Sequence, residues 1–239
     1  MHSSQAIIRL SHLKFNLLQV RKKIGTVKLM AVVKADAYGH GAVEVVKYYN
    51  SLGKYKPDYY AVACTKEAVE LREAGIKDPI LVFDPFEKIN AEACIKYNLI
   101  ATVFNKKHIE ILKGFPKKIK VHIKTDTGMN RVGIDYHDAY DFVKYVYNRK
   151  EFILDGFYTH FAEADSRDKT FTLLQLKRFN EIVAKLKSEN IKLGLVHAAN
   201  SSAMLDLADS YFDMVRCGIT LYGYYPSLET SESVKLKPV

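Results

Sequence analysis

The sequence predicts an α/β protein that folds as a (β/α)8 TIM-like barrel. Short apolar runs alternate with amphipathic segments along the chain, which is typical of βα units with a parallel sheet. Eight apolar runs fall within about 220 residues, and this repeat favours a closed barrel over an open doubly wound sheet. Neither G-x-G-x-x-G nor G-x-x-x-x-G-K-[ST] follows the first run, so dinucleotide and nucleoside-triphosphate binding lack their usual sequence support.

The first elements follow directly from the periodicity of the apolar residues. A leading helix is predicted to begin at Ser11, a suitable N-cap, because apolar residues recur at helical spacing from Leu13 to Ile24. Apolar runs short enough for strands covered on both faces then follow at intervals. The predicted strands are 29–33, 59–63, 79–83, 100–104, 119–124, 153–160, 194–198 and 214–221.

Helices are predicted between these strands. Thr65 can cap a helix that ends at Gly75, and Asn105 can cap one that ends at Gly114. The clearest helical periodicity lies in residues 171–186. The chain therefore reads as one continuous series of βα units.

The composition is that of a globular protein that stays in the cytoplasm. The 239 residues are 48% hydrophobic and 26% charged. No apolar run approaches the roughly 18 to 20 residues that span a bilayer, and the N-terminus lacks the apolar core of a signal peptide. Three scattered cysteines without a C-x-x-C pair argue against a disulfide framework or a zinc site. The eight histidines are also dispersed, so we expect no metal.

The formal net charge of +9 raises the question of acidic partners. The lysines are spread along the chain instead of forming one basic stripe interleaved with aromatic residues. We therefore interpret the excess charge as solvated helix faces together with a site for an anionic small molecule. Neither a nucleic acid nor a membrane partner is expected.

A lysine follows the first predicted strand, at the end of the barrel where such enzymes carry their chemistry. We expect Lys34 to project into the barrel mouth. Partial desolvation there disfavours the charged form and leaves more nucleophilic amine for imine formation with an aldehyde. The alternative for a single lysine is that its side chain extends to solvent.

Further polar residues follow the fifth and sixth strands. Lys124 begins an eight-residue run that ends in Arg131, a candidate for binding a carboxylate because guanidinium makes bidentate contacts. The alternative is an arginine on a solvated loop. His160, at the end of the sixth strand, is either an acid–base group or a hydrogen-bonded core histidine.

The last two strand ends indicate a phosphate site. Barrels often bind phosphate between these loops, where Ser201 can open a short helix and Gly218 lets the backbone approach a ligand closely. An N-cap serine and a turn glycine are the alternatives. A lysine beside a phosphate site suits pyridoxal phosphate, and it also suits a Schiff-base aldolase acting on a phosphorylated sugar. The residues alone leave both possibilities open.

Five sequence motifs contain these polar residues: AVVKADAYGHG (31–41), KTDTGMNRVG (124–133), THFAEAD (159–165), HAANSSA (197–203) and VRCGITLYG (215–223). Together they resemble the N-terminal, pyridoxal-phosphate-binding barrel of the alanine racemases (fold type III). AVVKADAYGHG is similar to the cofactor-lysine signature of that family. Ornithine-decarboxylase-like proteins share a lysine after the first strand, but this combination favours the racemases.

The resemblance implies that pyridoxal 5'-phosphate is the cofactor. Lys34 would bind it covalently and move the α-proton on one face of the substrate. The cofactor-binding residues would be Lys34, Tyr38, His160, Asn200, Ser201, Arg216, Gly218, Ile219 and Tyr222.

Catalytic roles beyond Lys34 are also implied by the resemblance. Arg216 would donate to the pyridine nitrogen, and His160 would orient Arg216. Arg131 would contact the phenolic oxygen and the substrate carboxylate, and a carbamylated Lys124 would position Arg131.

The implied activity is interconversion of L- and D-alanine, which supplies D-alanine for peptidoglycan, in a homodimer of the full-length protein. In this family a tyrosine of a C-terminal β domain, from the other subunit, serves the opposite face of the substrate. We predict a barrel over residues 1–226, a polar linker over 227–239, and no C-terminal β domain. One positioned acid–base group contributes about 10²- to 10⁴-fold in rate, so this chain alone is expected to be weak or inactive.

Two alternatives remain at this point. One is a non-catalytic barrel protein that binds pyridoxal phosphate and serves its homeostasis, and the more distant one is a Schiff-base aldolase. The amino-acid preference is also open, because serine and broad-specificity racemases share these motifs.

Overall fold

The structure is a computed structural model, and it describes residues 6–84, 87–113, 115 and 117–239. Its strands are β1 (Lys28–Val32), β2 (Tyr59–Val62), β3 (Ile80–Val82), β4 (Ile100–Val103), β5 (Ile119–Asp126), β6 (Ile134–Asp135), β7 (Phe152–Tyr158), β8 (Leu195–His197) and β9 (Met214–Cys217). Eight of them run parallel in the order β8-β7-β5-β4-β3-β2-β1-β9, and β6 pairs with β5 outside this series.

The eight-stranded series forms a nearly closed barrel, which confirms the predicted (β/α)8 fold. Two backbone hydrogen bonds join its end strands. Arg216 N donates to Ala199 O at 2.9 Å, and Asp213 N donates to Val196 O at 3.0 Å. The carboxyl ends of all eight strands therefore meet at one mouth.

Right-handed α-helices cover the outside of the barrel. They span Leu10–Ile24, Ala42–Ser51, Thr65–Glu73, Lys88–Lys96, Lys106–Leu112, Ala139–Tyr147, Thr170–Ser188 and Ser201–Asp206. Three 3-10 helices span Gly53–Tyr55, Ala208–Ser210 and Ile219–Tyr222. Within the part of the chain that the structure describes, no helix is both long and apolar enough to cross a membrane.

The core has two layers because side chains alternate along each strand. One cluster fills the inside of the barrel, and Met30 and Val32 of β1 belong to it. Leu29, Ala31 and Val33 belong to the larger cluster between the strands and the helices. Lys34 has the parity of Met30 and Val32, so its side chain continues the inward-facing series at the mouth.

The predicted boundaries differ from the structure at several ends. The first helix begins at Leu10 with Arg9 as its N-cap, so Ser11 lies in the first turn. Thr65 is the first residue of its helix and Cys64 is the N-cap. Asn105 is confirmed as a cap, since its Oδ1 accepts from His108 N at 2.9 Å, whereas the predicted stop at Gly114 lies outside the described residues.

Several strands are shorter than predicted. β9 ends at Cys217 and not at residue 221, because a 3-10 helix begins at Ile219. β7 ends at Tyr158, ahead of His160. The two-residue strand β6 has no counterpart in the prediction.

Residues 227–239, predicted as a linker, contact the barrel. Asn16 Oδ1 accepts from Lys237 N at 2.8 Å, and Asn16 Nδ2 donates to Lys237 O at 2.8 Å. Val239 N donates to Tyr222 O at 3.2 Å, and the side chain of Val234 is buried. The segment therefore packs beside the leading helix and the end of the last βα unit.

Candidate active site

A cavity of about 420 Å³ opens at the carboxyl ends of the barrel strands. Its lining residues follow seven different strands or lie at their ends. They are Val32, Lys34, Tyr38, Ala63, Phe83, Asp84, Lys124, Arg131, Val132, Tyr158, His160, Asn200, Ser201, Ser202, Arg216, Gly218, Ile219 and Pro226. This volume is suitable for a small cofactor together with a small substrate.

All the site residues predicted from the sequence line this cavity, with the exception of Tyr222. The Tyr222 side chain is buried, and its hydroxyl donates to Val32 O at 3.1 Å. Its ring lies 5.0 Å from the Tyr38 ring and 4.8 Å from the His40 ring, centroid to centroid. Tyr222 therefore supports Tyr38 from behind and does not face the cavity.

A left-handed turn, Lys34–Gly39, follows the first strand. Ala35, Asp36, Ala37 and Tyr38 have φ values of +50° to +56°, and none of them is a glycine. The left-handed conformation costs about 1–2 kcal/mol for each such residue. A run of four is expected only where surrounding contacts hold it, and strain of this kind is concentrated at functional sites.

The turn is held by hydrogen bonds to two carboxylates. Glu67 Oε1 accepts from Ala35 N at 2.7 Å, and Asp36 Oδ1 accepts from Ala42 N at 2.7 Å. The turn brings Tyr38 back over the cavity. The Lys34 side chain is half-buried, and its Nζ lies 6.0 Å from the centroid of the Tyr38 ring.

Tyr38 and Gly218 approach each other so closely that a side chain at position 218 would displace the Tyr38 hydroxyl. A Cβ on Gly218 would lie 2.4 Å from Tyr38 Oη. Gly218 N donates to Ser201 Oγ at 3.0 Å, and Ser201 Oγ lies 3.2 Å from Thr220 Oγ1. The hydroxyl groups of Tyr38 and Ser201 and the backbone at Gly218 thus form one polar wall, which we name the hydroxyl wall.

Arg216 is the most heavily bonded cation of the site, with a side chain only 3% exposed. Its Nη1 lies 2.8 Å from His197 Nδ1, and its Nη2 donates to Thr159 O and Ala198 O, both at 2.8 Å. Nη2 also lies 3.1 Å from His160 Nδ1. Burial lowers the pKa of Arg216 to about 10, which still leaves it charged at neutral pH.

One nitrogen of Arg216 remains available to a ligand. Every hydrogen bond of its guanidinium to the described residues uses Nη1 or Nη2, and Nε has no such partner among them. Because Arg216 lines the cavity, its Nε–H can donate to an acceptor there.

Behind Arg216, a chain of hydrogen bonds runs through the inside of the barrel. His197 Nε2 lies 3.0 Å from His122 Nδ1, and His122 Nε2 lies 3.3 Å from Asp155 Oδ2. Since a guanidinium only donates, His197 Nδ1 must accept, and each following bond then has a single direction, ending at the Asp155 carboxylate. His197 and His122 are therefore both neutral, with the hydrogen on Nε2.

The pKa shifts agree with these protonation states. Burial lowers the pKa of His197 well below its usual range, with a further contribution from the Arg216 charge. Burial also lowers the pKa of His122. For Asp155, burial opposes ionisation, but the hydrogen bonds from His122 and Tyr59 and the charge of Lys120 prevail and lower the pKa of the carboxyl group.

Lys124 is a second, nearly buried amine in the cavity. Its side chain is 7% exposed, and its Nζ lies 5.8 Å from the centroid of the Tyr158 ring. Burial, then the charges of Arg131 and Arg216, lower its pKa to about 8. A sizeable fraction of this amine is therefore neutral near physiological pH.

The cavity carries a strong excess of positive charge. Among the described residues, four cationic side chains line it, Lys34, Lys124, Arg131 and Arg216, against one carboxylic acid, Asp84. Burial, then Glu67 and Glu87, raise the pKa of Asp84, which reduces its negative charge further. In the described part of the chain, no cluster of three or more His, Cys, Asp or Glu side chains is arranged to hold a metal ion. The site is suited to an anionic organic ligand.

Sequence reasoning missed several contributors to this site. Tyr158 lies at the end of β7, only two residues before the predicted His160, and Asp84 follows β3 as an isolated acid after an apolar run. The position of both residues at or directly after the end of a strand was a signal that the sequence contains. His122 and Asp155 lie within strands, where a polar residue gives no indication of its partner.

The sequence matches the family described as "Alanine racemase, N-terminal domain" over residues 8–226. It is 40% identical over 236 residues to Alanine racemase 1 of Caldanaerobacter subterraneus subsp. tengcongensis, covering 96% of this chain and 60% of that protein. It is 42% identical over 239 residues to the alanine racemase of Halothermothrix orenii, covering 98% and 62%.

Solved structures agree with the sequence relatives. Alanine racemase of Clostridium difficile 630, in complex with cycloserine, superposes with a TM-score of 0.90 at 37% identity, covering 96% of this chain and 64% of that one. The Bacillus anthracis enzyme with bound L-Ala-P gives a TM-score of 0.87 at 33% identity, covering 98% and 64%. This chain thus spans about three fifths of the length of its curated relatives, and it belongs to the alanine racemase N-terminal domain family.

Proposed function

We propose that this chain is the pyridoxal-phosphate-binding barrel of an alanine racemase, with Lys34 as the residue that holds the cofactor. The observation that carries the proposal is the position of Lys34. Its half-buried amine lies at the mouth of the barrel, in a cavity that also contains the hydroxyl wall and the buried Arg216.

The residues fit this cofactor by their chemistry. An aldehyde condenses with a lysine amine with loss of water, and Lys34 supplies that amine. A phosphate accepts hydrogen bonds from hydroxyl groups, and the hydroxyl wall offers those of Tyr38 and Ser201 beside the backbone at Gly218. The lack of a Cβ at Gly218 lets the Tyr38 hydroxyl lie this close to the backbone. We also propose that Asn200 and Ile219, which line the same side, contribute to this end of the site.

When bound, pyridoxal phosphate supplies an electron sink that lets the α-hydrogen of an amino acid leave as a proton. Lys34 Nζ would accept and return this proton on one face of the substrate. Arg216 Nε would donate to the pyridine nitrogen, and the fixed positive charge of Arg216 would discourage protonation of that nitrogen because like charges repel. His160, 3.1 Å from Arg216 Nη2, would help to hold the guanidinium in place.

Arg131 would bind the carboxylate of the substrate. Its side chain is exposed and lines the open end of the cavity, where an incoming amino acid first arrives. Guanidinium groups bind carboxylates in a bidentate manner, which fixes orientation as well as affinity. We propose L-alanine and D-alanine as the substrates, and a homodimer as the full-length assembly.

We further propose that Lys124 is carbamylated. Its Nζ would attack CO2, forming one N–C bond and releasing one proton to solvent. The pKa of about 8 makes the neutral, reactive amine accessible, and the nearby charges of Arg131 and Arg216 would stabilise the negative product. A negative group at this position would in turn orient Arg131.

We propose that the protein acts in the cytoplasm. Its three cysteines, Cys64, Cys94 and Cys217, are all free thiols. Free thiols of this kind are typical of a reducing compartment.

The absorption spectrum tests the cofactor assignment. Added pyridoxal phosphate should give the visible band of the lysine-bound cofactor with the wild-type chain and with Lys28→Ala, a matched control at the other end of β1. Lys34→Ala should not give it. An unchanged band in Lys34→Ala would overturn the assignment.

Exchange of the α-hydrogen of alanine separates a racemase barrel from a non-catalytic cofactor-binding protein. In deuterium oxide the loaded chain should replace this hydrogen by deuterium in at least one enantiomer, because Lys34 acts on one face without help from the other. Cofactor binding without exchange in either enantiomer would favour the non-catalytic alternative.

A further inference from the structure

Glu67 connects the ends of the first two strands through its side chain. Its Oε1 accepts from Ala35 N, and its Oε2 accepts from Ala63 N, both at 2.7 Å. A third, longer contact of 3.4 Å joins Oε2 to Cys64 N. Ala35 directly follows Lys34, and Ala63 itself lines the cavity.

The position of Glu67 in its helix explains why both contacts are possible. It lies in the first turn of the helix Thr65–Glu73, which begins immediately after β2. Because β1 and β2 are parallel neighbours, their carboxyl ends lie side by side at the mouth. A carboxylate in this turn therefore reaches backbone N–H groups in the segments that follow both strands, at Ala35 and Ala63.

The contact with Ala35 lies at the start of the strained left-handed turn. The left-handed turn starts at Ala35 and continues to Tyr38 without a glycine. The Ala35 N–H belongs to the peptide group that joins Lys34 to Ala35, the first residue of the turn with a positive φ. A charge-assisted hydrogen bond to a carboxylate is among the stronger restraints that a side chain can place on a backbone N–H.

We infer that Glu67 is a positioning residue for Lys34. By holding the Ala35 and Ala63 N–H groups together, it fixes the start of the left-handed turn, and with it the direction of the Lys34 amine and the place of the Tyr38 hydroxyl. Glu67 acts through the backbone, and it is not among the residues that line the cavity. The inference rests on the proposed function.

Two substitutions separate the acceptor role of Glu67 from its presence in the helix. Glu67→Gln keeps the length of the side chain but replaces one acceptor oxygen by an NH2 group, which cannot accept from a backbone N–H. Glu67→Asp keeps both oxygens but withdraws them by one methylene. Glu70→Gln is the matched control, because Glu70 is exposed on the same helix.

The test measures the dissociation constant of pyridoxal phosphate from its visible band, together with amide hydrogen exchange of the cofactor-free chain. Glu67→Gln should weaken cofactor binding about tenfold or more, the effect of one lost charge-assisted hydrogen bond. It should also speed exchange at Ala35 and Ala63. Glu70→Gln should change neither quantity, and Glu67→Asp should lie between.

The possible outcomes separate this inference from the proposed function. If the wild-type chain does not give the visible band, the proposed function fails, and hydrogen exchange still tests the restraint on Ala35. If the wild type binds and Glu67→Gln binds equally well, the inference is overturned. Should Glu67→Gln fail to fold, unchanged affinity and exchange in Glu67→Asp would overturn it.

Discussion

Arg216 Nη1 lies 2.8 Å from Nδ1 of His197, and this one contact sets the direction of every hydrogen bond behind it. Since the arginine donates, His197 must accept there and donate from its other nitrogen to His122, which then donates to Asp155. The cation at the mouth is thereby linked to a carboxylate inside the barrel. We expect substitutions of Asp155, at the far end of this chain of hydrogen bonds, to affect stability according to whether they keep an acceptor for His122.

Replacement of Asp155 tests the chain of hydrogen bonds. Asp155→Leu leaves the buried His122 Nε2–H without its acceptor and should lower the free energy of unfolding by about 1–3 kcal/mol. Asp155→Asn keeps an acceptor oxygen and should lower the free energy of unfolding by clearly less. Urea unfolding at pH 8 measures both, and equal losses in the two variants would contradict the assigned direction.

Acid should destabilise the protein because its buried histidines are neutral. The folded pKa values of His197, His122 and His160 are lowered below the usual 6.5 by burial, and that of His108 is lowered to about 4. Below pH 6.5 the unfolded chain therefore binds more protons than the folded chain. The stability that the neutral histidines contribute is complete above pH 6.5 and is lost as the pH falls below it. Each such histidine contributes up to about 1.4 kcal/mol per pH unit.

Urea midpoints between pH 8 and pH 5 measure this loss. His197→Asn removes one titrating group and should flatten the decline. A stability that stays constant over the whole range would show that the histidines bind protons equally in the folded and unfolded chains, and would contradict their lowered pKa values.

Lys124 should respond to carbon dioxide. Its folded pKa of about 8 lies below the usual 10.5, so the unfolded chain binds more protons between these values. Below pH 8 the Lys124 amine is charged in both states, and the full cost of burying that charge destabilises the fold. The cost decreases as the pH rises and is absent above pH 10.5. In CO2-free buffer at pH 7, Lys124→Met should raise the free energy of unfolding by about 2 kcal/mol.

Added bicarbonate distinguishes carbamylation from burial alone. It should stabilise the wild-type chain and leave Lys124→Met unchanged, and carbon-13 NMR with labelled bicarbonate should show one carbamate signal that the variant lacks. A wild type without that signal would rule out the modification.

Gly218→Ala should impair phosphate binding more than folding. The new Cβ would lie 2.4 Å from Tyr38 Oη, and Tyr38, with 37% of its surface exposed, can swing away. We expect pyridoxal phosphate to bind about tenfold more weakly, with little change in the unfolding midpoint. In a Tyr38→Ala background the clash is absent, so Gly218→Ala should have a much smaller effect there. If Gly218→Ala weakened cofactor binding equally in both backgrounds, the weakening would not arise from the clash with Tyr38.

Much of the site could be predicted because barrel geometry is restrictive. Once Lys34, His160 and Arg216 are assigned to strand ends, parallel strands in a barrel bring them to one mouth, whatever their distance in the sequence. The cavity contains all three. Tyr222 differs because the chain turns after Gly218 into a 3-10 helix, which directs its hydroxyl to Val32 O.

The remaining features depend on packing that sequence patterns do not encode. Ala35 to Tyr38 contain no glycine that would signal a left-handed turn, and the bonds from Ala35 N to Glu67 and from Ala42 N to Asp36, which hold it, cannot be read from the sequence. His122 and Asp155 meet because β5 pairs with β7 in a register that places His122 opposite Gly156. A Cβ on Gly156 would lie 2.6 Å from His122 Cε1, so this glycine makes room for the imidazole ring.

The central claim is that Lys34, and no other lysine, holds the cofactor. Borohydride reduction of the loaded chain makes that bond permanent, and peptide mass spectrometry then locates it. We expect the pyridoxyl group on Lys34 in the wild-type chain and its loss in Lys34→Ala. A label on Lys124 or on surface lysines, with Lys34 unmodified, would contradict it.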